Sequence, residues 1–208
     1  MAFQNYGDKL EDARRDHPAT RRNQAPILEV LTRVFPQTGL VLEIASGTGQ
    51  HAAFFTSQLQ GLHWQPTDYD TDTFDSIEAW RHTAHPERIR SPLQLDVTSH
   101  PWPVPTADAM LCVNMLQVSP WTAALGLLTG AARTLQPGAP LVIYSPLSRG
   151  GVHTSPGNAA FDARLKARNP LLGVRDADAL IEAARERGLT HHDTLDMPAN
   201  NTVLVFRA

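Results

Sequence analysis

Apolar residues along this chain fall in short blocks that switch between two periods. Behind a polar stretch over residues 1–22, Ile27, Leu28, Leu31 and Val34 recur at three-to-four spacing, which predicts a helix capped by Asn23 and stopped by Pro36 and Gly39. Leu40-Val-Leu-Glu-Ile44 then predicts a strand, and beyond the glycines Ala52, Phe55 and Leu59 share one face of a helix over 50–60. The unit repeats with a strand over 63–66 and a helix over 70–84 that gathers Phe74, Ile77 and Trp80 on one face. Further strands are predicted over 92–95, 109–113 and 141–144, with a helix over 121–135 ended by Pro137-Gly138 between the last two. After a glycine-rich stretch at 150–158, Asp176 is placed to cap a helix running to Arg187 and ended by Gly188. Two closing strands flank the turn Met197-Pro-Ala-Asn-Asn201.

Strands separated by helices pair in parallel, whereas two strands joined by so short a turn must run antiparallel. The pattern therefore predicts a doubly wound α/β fold: a mostly parallel seven-stranded sheet with an antiparallel strand in the C-terminal hairpin. That is the Rossmann-like arrangement of class I methyltransferases, while dinucleotide-binding dehydrogenases usually finish their sheet with parallel strands. Neither a repeat nor a linker divides the 208 residues, so one domain over 1–208 is expected. It would carry a leading helical segment over 1–38 and a lid-like insertion over about 147–176, with Gly150-Gly151 as its hinge.

Composition narrows the partners. With 18 basic and 21 acidic residues the formal charge is -3, which attracts neither nucleic acid nor an anionic membrane, so neither is expected to bind. The opening MAFQNYGDKLED has no apolar core of the signal-peptide kind, and no apolar run approaches the roughly 20 residues of a membrane span. A cytoplasmic location is expected. Cys112, inside Ala109-Met-Leu-Cys-Val113, reads as a small core residue. His82 and His85 stand three apart on a helix with nothing to complete a site, and no metal is expected.

Candidate chemistry collects at the strand ends. In Val41-Leu-Glu-Ile-Ala-Ser-Gly-Thr-Gly-Gln50 the small residues Ala45, Ser46, Gly47 and Gly49 fall where strand turns into helix, so a ligand can approach the backbone closely. Gly47-Thr-Gly-Gln-His-Ala52 also satisfies the GxGxxA dinucleotide fingerprint, so the glycines alone do not choose a cofactor. Glu43 tilts the choice: a carboxylate there opposes a pyrophosphate but suits the ammonium and sulfonium of S-adenosylmethionine. Asp68, about 20 residues beyond the glycines, is placed to accept from both ribose hydroxyls, with helix capping as its other reading. Asp96 is placed to accept from the adenine amino group while the Val97 amide donates to the ring. His51, just after the glycines, is within reach of the donor, with an exposed residue at a helix start as its commoner reading.

Six segments in order, PATRRNQAPIL, VLEIASGTGQHA, WQPTDYD, SPW, RNPLLGVRD and MPANN, resemble the methyltransferase-like 26 family, a domain-of-unknown-function class numbered 938. The resemblance covers nearly the whole chain and implies the class I methyltransferase fold and S-adenosylmethionine as cofactor, without an established substrate or catalytic residue. A histidine is common in that family between the asparagine of the fourth strand and SPW. Here Asn114-Met-Leu-Gln-Val-Ser-Pro-Trp121 carries Gln117, an amide that takes up no proton at neutral pH, so no catalytic base is assigned.

Methyl transfer is a direct displacement, so the protein must chiefly align donor and acceptor. The pocket is expected beyond the fourth and fifth strands, which nominates Asn114 beside the cofactor and Gln117, Trp121 and Tyr144 for the substrate. Arg22 and Asn23 from the leading segment and His153 and Asn169 from the insertion complete the set. Trp121 reads equally well as a core aromatic and Asn23 as a simple cap. The function expected is methyl transfer from S-adenosylmethionine to a small-molecule acceptor. A non-catalytic S-adenosylmethionine-binding or partner-binding module is the alternative, and a nicotinamide-dependent oxidoreductase, opposed by Glu43 and the terminal hairpin, comes third.

Overall fold

The computed structural model describes residues 7–208; the first six residues of the leading segment expected over 1–38 lie outside the described residues. The first helix, α1 (Pro18–Val34), starts earlier than predicted. His17 is its cap, its Nδ1 accepting from the Ala19 amide at 3.1 Å, and Pro18 takes the first turn, where its missing N–H costs nothing. Asn23 is thus not a cap but a buried residue one turn inside the helix.

The strands are β1 (Gly39–Ile44), β2 (Leu62–Asp68), β3 (Leu93–Gln94), β4 (Ala109–Val113), β5 (Pro140–Ser145), β6 (Thr190–Met197) and β7 (Asn201–Arg207). They form one sheet in the order β3-β2-β1-β4-β5-β7-β6. All neighbours are parallel except β7, which runs antiparallel to both β5 and β6. The fold class is therefore as predicted, and the reversed strand proves to be inserted between β5 and β6 rather than added at an edge. Between the strands run α2 (Gln50–Gln58), α3 (Phe74–Thr83), α4 (Trp121–Thr134), α5 (Pro156–Arg168) and α6 (Ala177–Arg185). His85 lies past the end of α3, and it and His82 each face a glutamate, Glu87 and Glu78, rather than one another.

Alternation along the central strands divides the core in two. Leu42, Ile44, Met110, Cys112, Leu141, Ile143, Leu204 and Phe206 pack toward α4 and α6. Val41, Leu111, Val142, Tyr144, Val203 and Val205 pack toward α1 and α2. Cys112 is fully buried, which pushes its thiol up to about 12, as suits a core residue. Trp121 is half-buried against the first of these cores, the structural one of its two readings.

The insertion after β5 is folded. Leu147–Arg149 pairs antiparallel with Val152–His153 and parallel with Arg175–Asp176, and α5 follows, unpredicted, capped by Ser155 accepting from the Asn158 amide at 3.0 Å. Gly150 and Gly151, the expected hinge, turn at φ +55 and +78 and donate their amides to Asp178 and Asp176 at 2.9 and 2.8 Å. Asp176 caps α6 as predicted.

Candidate functional site

The glycine loop follows β1, with Ala45, Gly47 and Gly49 at φ +56, +56 and +85. The two glycines are required for different reasons. A Cβ on Gly49 would lie 2.8 Å from the Ile77 Cα, so close packing of the loop on α3 demands its absence. A Cβ on Gly47 would meet nothing within 4 Å, although Gly47 lines the main cavity. The loop is fastened to the end of β2. Ser46 N donates to Thr67 O at 2.8 Å, Thr67 N donates to Ser46 Oγ at 3.1 Å, and Gly47 N donates to Asp68 Oδ2 at 2.8 Å.

Two of the three strand-end acids, Glu43 and Asp68, are buried, and Asp96 is half-buried. Glu43 is 1% exposed and its Oε2 accepts from the Trp64 indole at 3.0 Å; burial, and then the nearby Asp68, push its carboxyl up to about 7. Asp68 is equally buried, with one oxygen on the Gly47 amide and the other on the Asp70 amide at 3.0 Å, and burial raises its pKa in spite of both bonds. Asp70, not Asp68, caps the short turn Thr71–Thr73 ahead of α3. Asp96 Oδ1 accepts from the Thr98 amide and hydroxyl at 2.8 and 2.7 Å, and Val97 is buried against α4. The structure leaves Glu43, Gly49, Asp68, Asp96 and Val97 outside the cavity lining.

That cavity, of about 1020 Å³, opens at the carboxyl ends of β1, β4 and β5 between α1 and α5, where open α/β sheets place ligands. It brings together the predicted Ala45, Ser46, Gly47 and Asn114 with Arg22, Asn23, Gln117 and Tyr144. Gln117 is buried, donating to Asn114 Oδ1 at 3.3 Å and accepting from Ser145 Oγ at 2.8 Å. Trp121, His153 and Asn169 do not line it. His153 instead faces Asp162 at 3.4 Å, and Asn169 accepts from the Leu171 amide at 2.9 Å, so both hold the insertion together.

His51 lines the cavity and is buried, which corrects its reading as an exposed helix-start residue. Its ring is 8% exposed, stacked on Phe55 at 5.3 Å, with Nε2 2.8 Å from Asn23 Oδ1. Because a carbonyl oxygen only accepts, Nε2 carries the proton and donates. Burial, then His17, depress the pKa to about 3, so the imidazole stays neutral. The same Asn23 side chain hydrogen-bonds the Tyr144 phenol, whose pKa burial raises against the opposing pull of Asn23 and Arg22. Asn23 therefore joins α1 to α2 and β5. The sequence held one trace of this: Thr20, Asn23 and Ile27, all buried, share one stripe of α1, and a polar residue on such a stripe needs a partner. Asn158 and Arg168, both from the expected lid, line it too, whereas His17, Phe161 and Arg164 were not anticipated, the last two hidden in the unpredicted helix α5.

The family model described as "Protein of unknown function (DUF938)" matches residues 14–208. Among solved structures the chain is similar to an O-methyltransferase family protein from Burkholderia thailandensis, with TM-score 0.77, 18% identity and coverage of 91% of this chain and 57% of that one. It is similar also to a putative sarcosine dimethylglycine methyltransferase from Galdieria sulphuraria (TM-score 0.75, 15% identity, 97% and 92% covered). A third is human N-acetylserotonin methyltransferase in complex with SAM (TM-score 0.71, 16% identity, 91% and 52% covered). The chain spans just over half the length of the first and third of these and nearly all of the second. At such identities the likeness establishes the methyltransferase Rossmann-like fold.

Proposed function

The chain belongs to the DUF938 family of proteins of unknown function, and from that premise we propose that it is an S-adenosylmethionine-dependent methyltransferase of the methyltransferase-like 26 group, acting on a small-molecule acceptor in the cytoplasm. The observation that carries this reading is Gly47: a loop residue at positive φ, on the cavity wall, whose missing side chain leaves room that a ligand can fill. The cavity is at the upper end of the size range of small-molecule sites, which suits a donor and an acceptor together.

When bound, S-adenosylmethionine supplies a methyl group on a sulfonium sulfur, open to direct displacement. Ala45, Ser46, Gly47 and Asn114 would hold it, with Asp68 keeping the Gly47 amide in place. Neutral His51 sets no positive charge against a sulfonium. Asn23 fixes His51 and Tyr144 as a rigid wall. Among the described residues no lining side chain offers an effective base at neutral pH: Gln117 is an amide, burial disables His51, and His17 commits its Nδ1 lone pair to the Ala19 amide. The protein's contribution is therefore to bind, orient and exclude water.

Titration calorimetry with S-adenosylhomocysteine tests the reading. Saturable heat at micromolar ligand is expected; silence at high micromolar ligand, in protein shown to be folded, sinks it. The lack of a base favours one second reading, a binding module without turnover. Radiolabelled donor in cell extract separates the two, since a labelled product that disappears with Gly47→Ala requires turnover.

A further inference from the structure

The charge of the cavity does not balance. Its lining includes Arg22 from α1 and Arg164 and Arg168 from α5, but neither Asp nor Glu, in a chain of formal charge -3. Neighbouring cations on the same helices are paired: Arg21 with Asp16, and Lys166 with Asp162 at 2.6 Å. Arg22 and Arg164 form no ion pair among the described residues, and the Arg164 guanidinium lies 5.7 Å from the centroid of the Phe161 ring, also in the lining. Asp16, just ahead of α1, and Asp162 on α5 thus serve Arg21 and Lys166 and leave Arg22 and Arg164 for something else.

On the methyltransferase reading, the donor does not neutralise them. It carries a sulfonium and an ammonium against one carboxylate and so adds net positive charge to an already cationic lining, which like-charge repulsion disfavours. One carboxylate can also satisfy only one arginine in a paired, forked contact. Arg22 comes from α1, the helix whose Asn23 meets His51 at the start of α2 just past the glycine loop, whereas Arg164 comes from α5. We propose that the acceptor is an organic anion, a carboxylate or a phosphate ester, whose charged group is held by Arg164 with Phe161 against its apolar part, leaving Arg22 to the donor's carboxylate. An anionic acceptor offsets part of the positive charge of the loaded cavity and is drawn in by its field. This inference rests on the donor-binding reading above.

The test uses the full chain saturated with S-adenosylhomocysteine and two fluorescent probes of one scaffold, anionic 1-anilinonaphthalene-8-sulfonate and uncharged N-phenyl-1-naphthylamine. The anionic probe should bind about tenfold more tightly at low salt, with the advantage shrinking as salt rises. Arg164→Gln should erase most of that preference while leaving the affinity for S-adenosylhomocysteine unchanged. Arg185→Gln, which removes an equal charge from an arginine already paired with Glu182 on α6, should leave it intact. Phenylacetate and phenyl phosphate then compete for the anionic probe, and the one that displaces it names the acceptor's charged group. Equal binding of the two probes, displacement by neither competitor, or a preference unmoved by Arg164→Gln overturns the proposal. A protein that refuses S-adenosylhomocysteine yet keeps an Arg164-dependent anion preference overturns the methyltransferase reading instead and leaves the anion site standing.

Discussion

The two walls of the cavity are built by opposite means. On one side, residues 45–49 form a single contiguous loop whose conformation is set by glycines and small residues and whose amides are tied to the adjacent strand end at Thr67 and Asp68. On the other, Asn23, Gln117, Tyr144 and Arg164 come from four separate stretches of chain and meet only because α1 and α5 pack across the ends of β4 and β5. The first wall is a backbone device and tolerates changes that spare its φ angles. The second is a side-chain device, and it stands or falls on individual hydrogen bonds.

This contrast can be broken at named positions. Gly49→Ala forces a Cβ to 2.8 Å from the Ile77 Cα at a left-handed φ and should cost about 3 kcal/mol, lowering the thermal midpoint by roughly 6–12 °C. A midpoint near that of the parent would mean the loop wall is not held by its packing on α3. Asn23→Leu strips buried His51 and Tyr144 of a shared partner and should cost about 2 kcal/mol in urea unfolding. A loss below about 0.5 kcal/mol would mean that the far wall does not depend on this node.

Glu43→Gln sharpens the comparison through pH. The buried carboxyl titrates at about 7 folded against 4.5 in the open chain, so its unfolded form releases a proton first and the group destabilises the fold increasingly from pH 4.5 up to 7. The variant should match the parent at pH 4 and exceed it by up to about 3 kcal/mol at pH 8. His51 runs the other way, with a folded value near 3 against 6.5, so its contribution is intact above 6.5 and is lost as pH falls toward 3. Thermal midpoints across pH 4 to 8, in Glu43→Gln and the parent, separate the two slopes. The smallest effect on stability belongs to Gly47→Ala, about 1 kcal/mol for a side chain in left-handed backbone with free space around it. Its affinity for S-adenosylhomocysteine should nevertheless fall about tenfold or more, as measured by calorimetry.

Much of the fold was legible because its periods were clean: β4 spans the predicted residues 109–113, and the terminal hairpin turns where expected. Helix α5 was missed because Ser155-Pro156-Gly157 looks like a loop, although Ser155 is a cap and Pro156 sits where its missing N–H is harmless. Asn23 was mistaken for a cap by a local rule that His17 and Pro18 satisfied six residues earlier.

By itself the sequence determined which side of the sheet each strand residue faces and where the backbone must turn through left-handed conformations, because period-two alternation and glycine's freedom are local properties. The tertiary structure decided what each polar group answers to: Glu43 to the Trp64 indole, Asp68 to the Gly47 amide, and Asn23 to both His51 and Tyr144. The reason is physical. A buried polar group must find a partner wherever packing puts one, and packing joins residues that spacing along the chain leaves far apart.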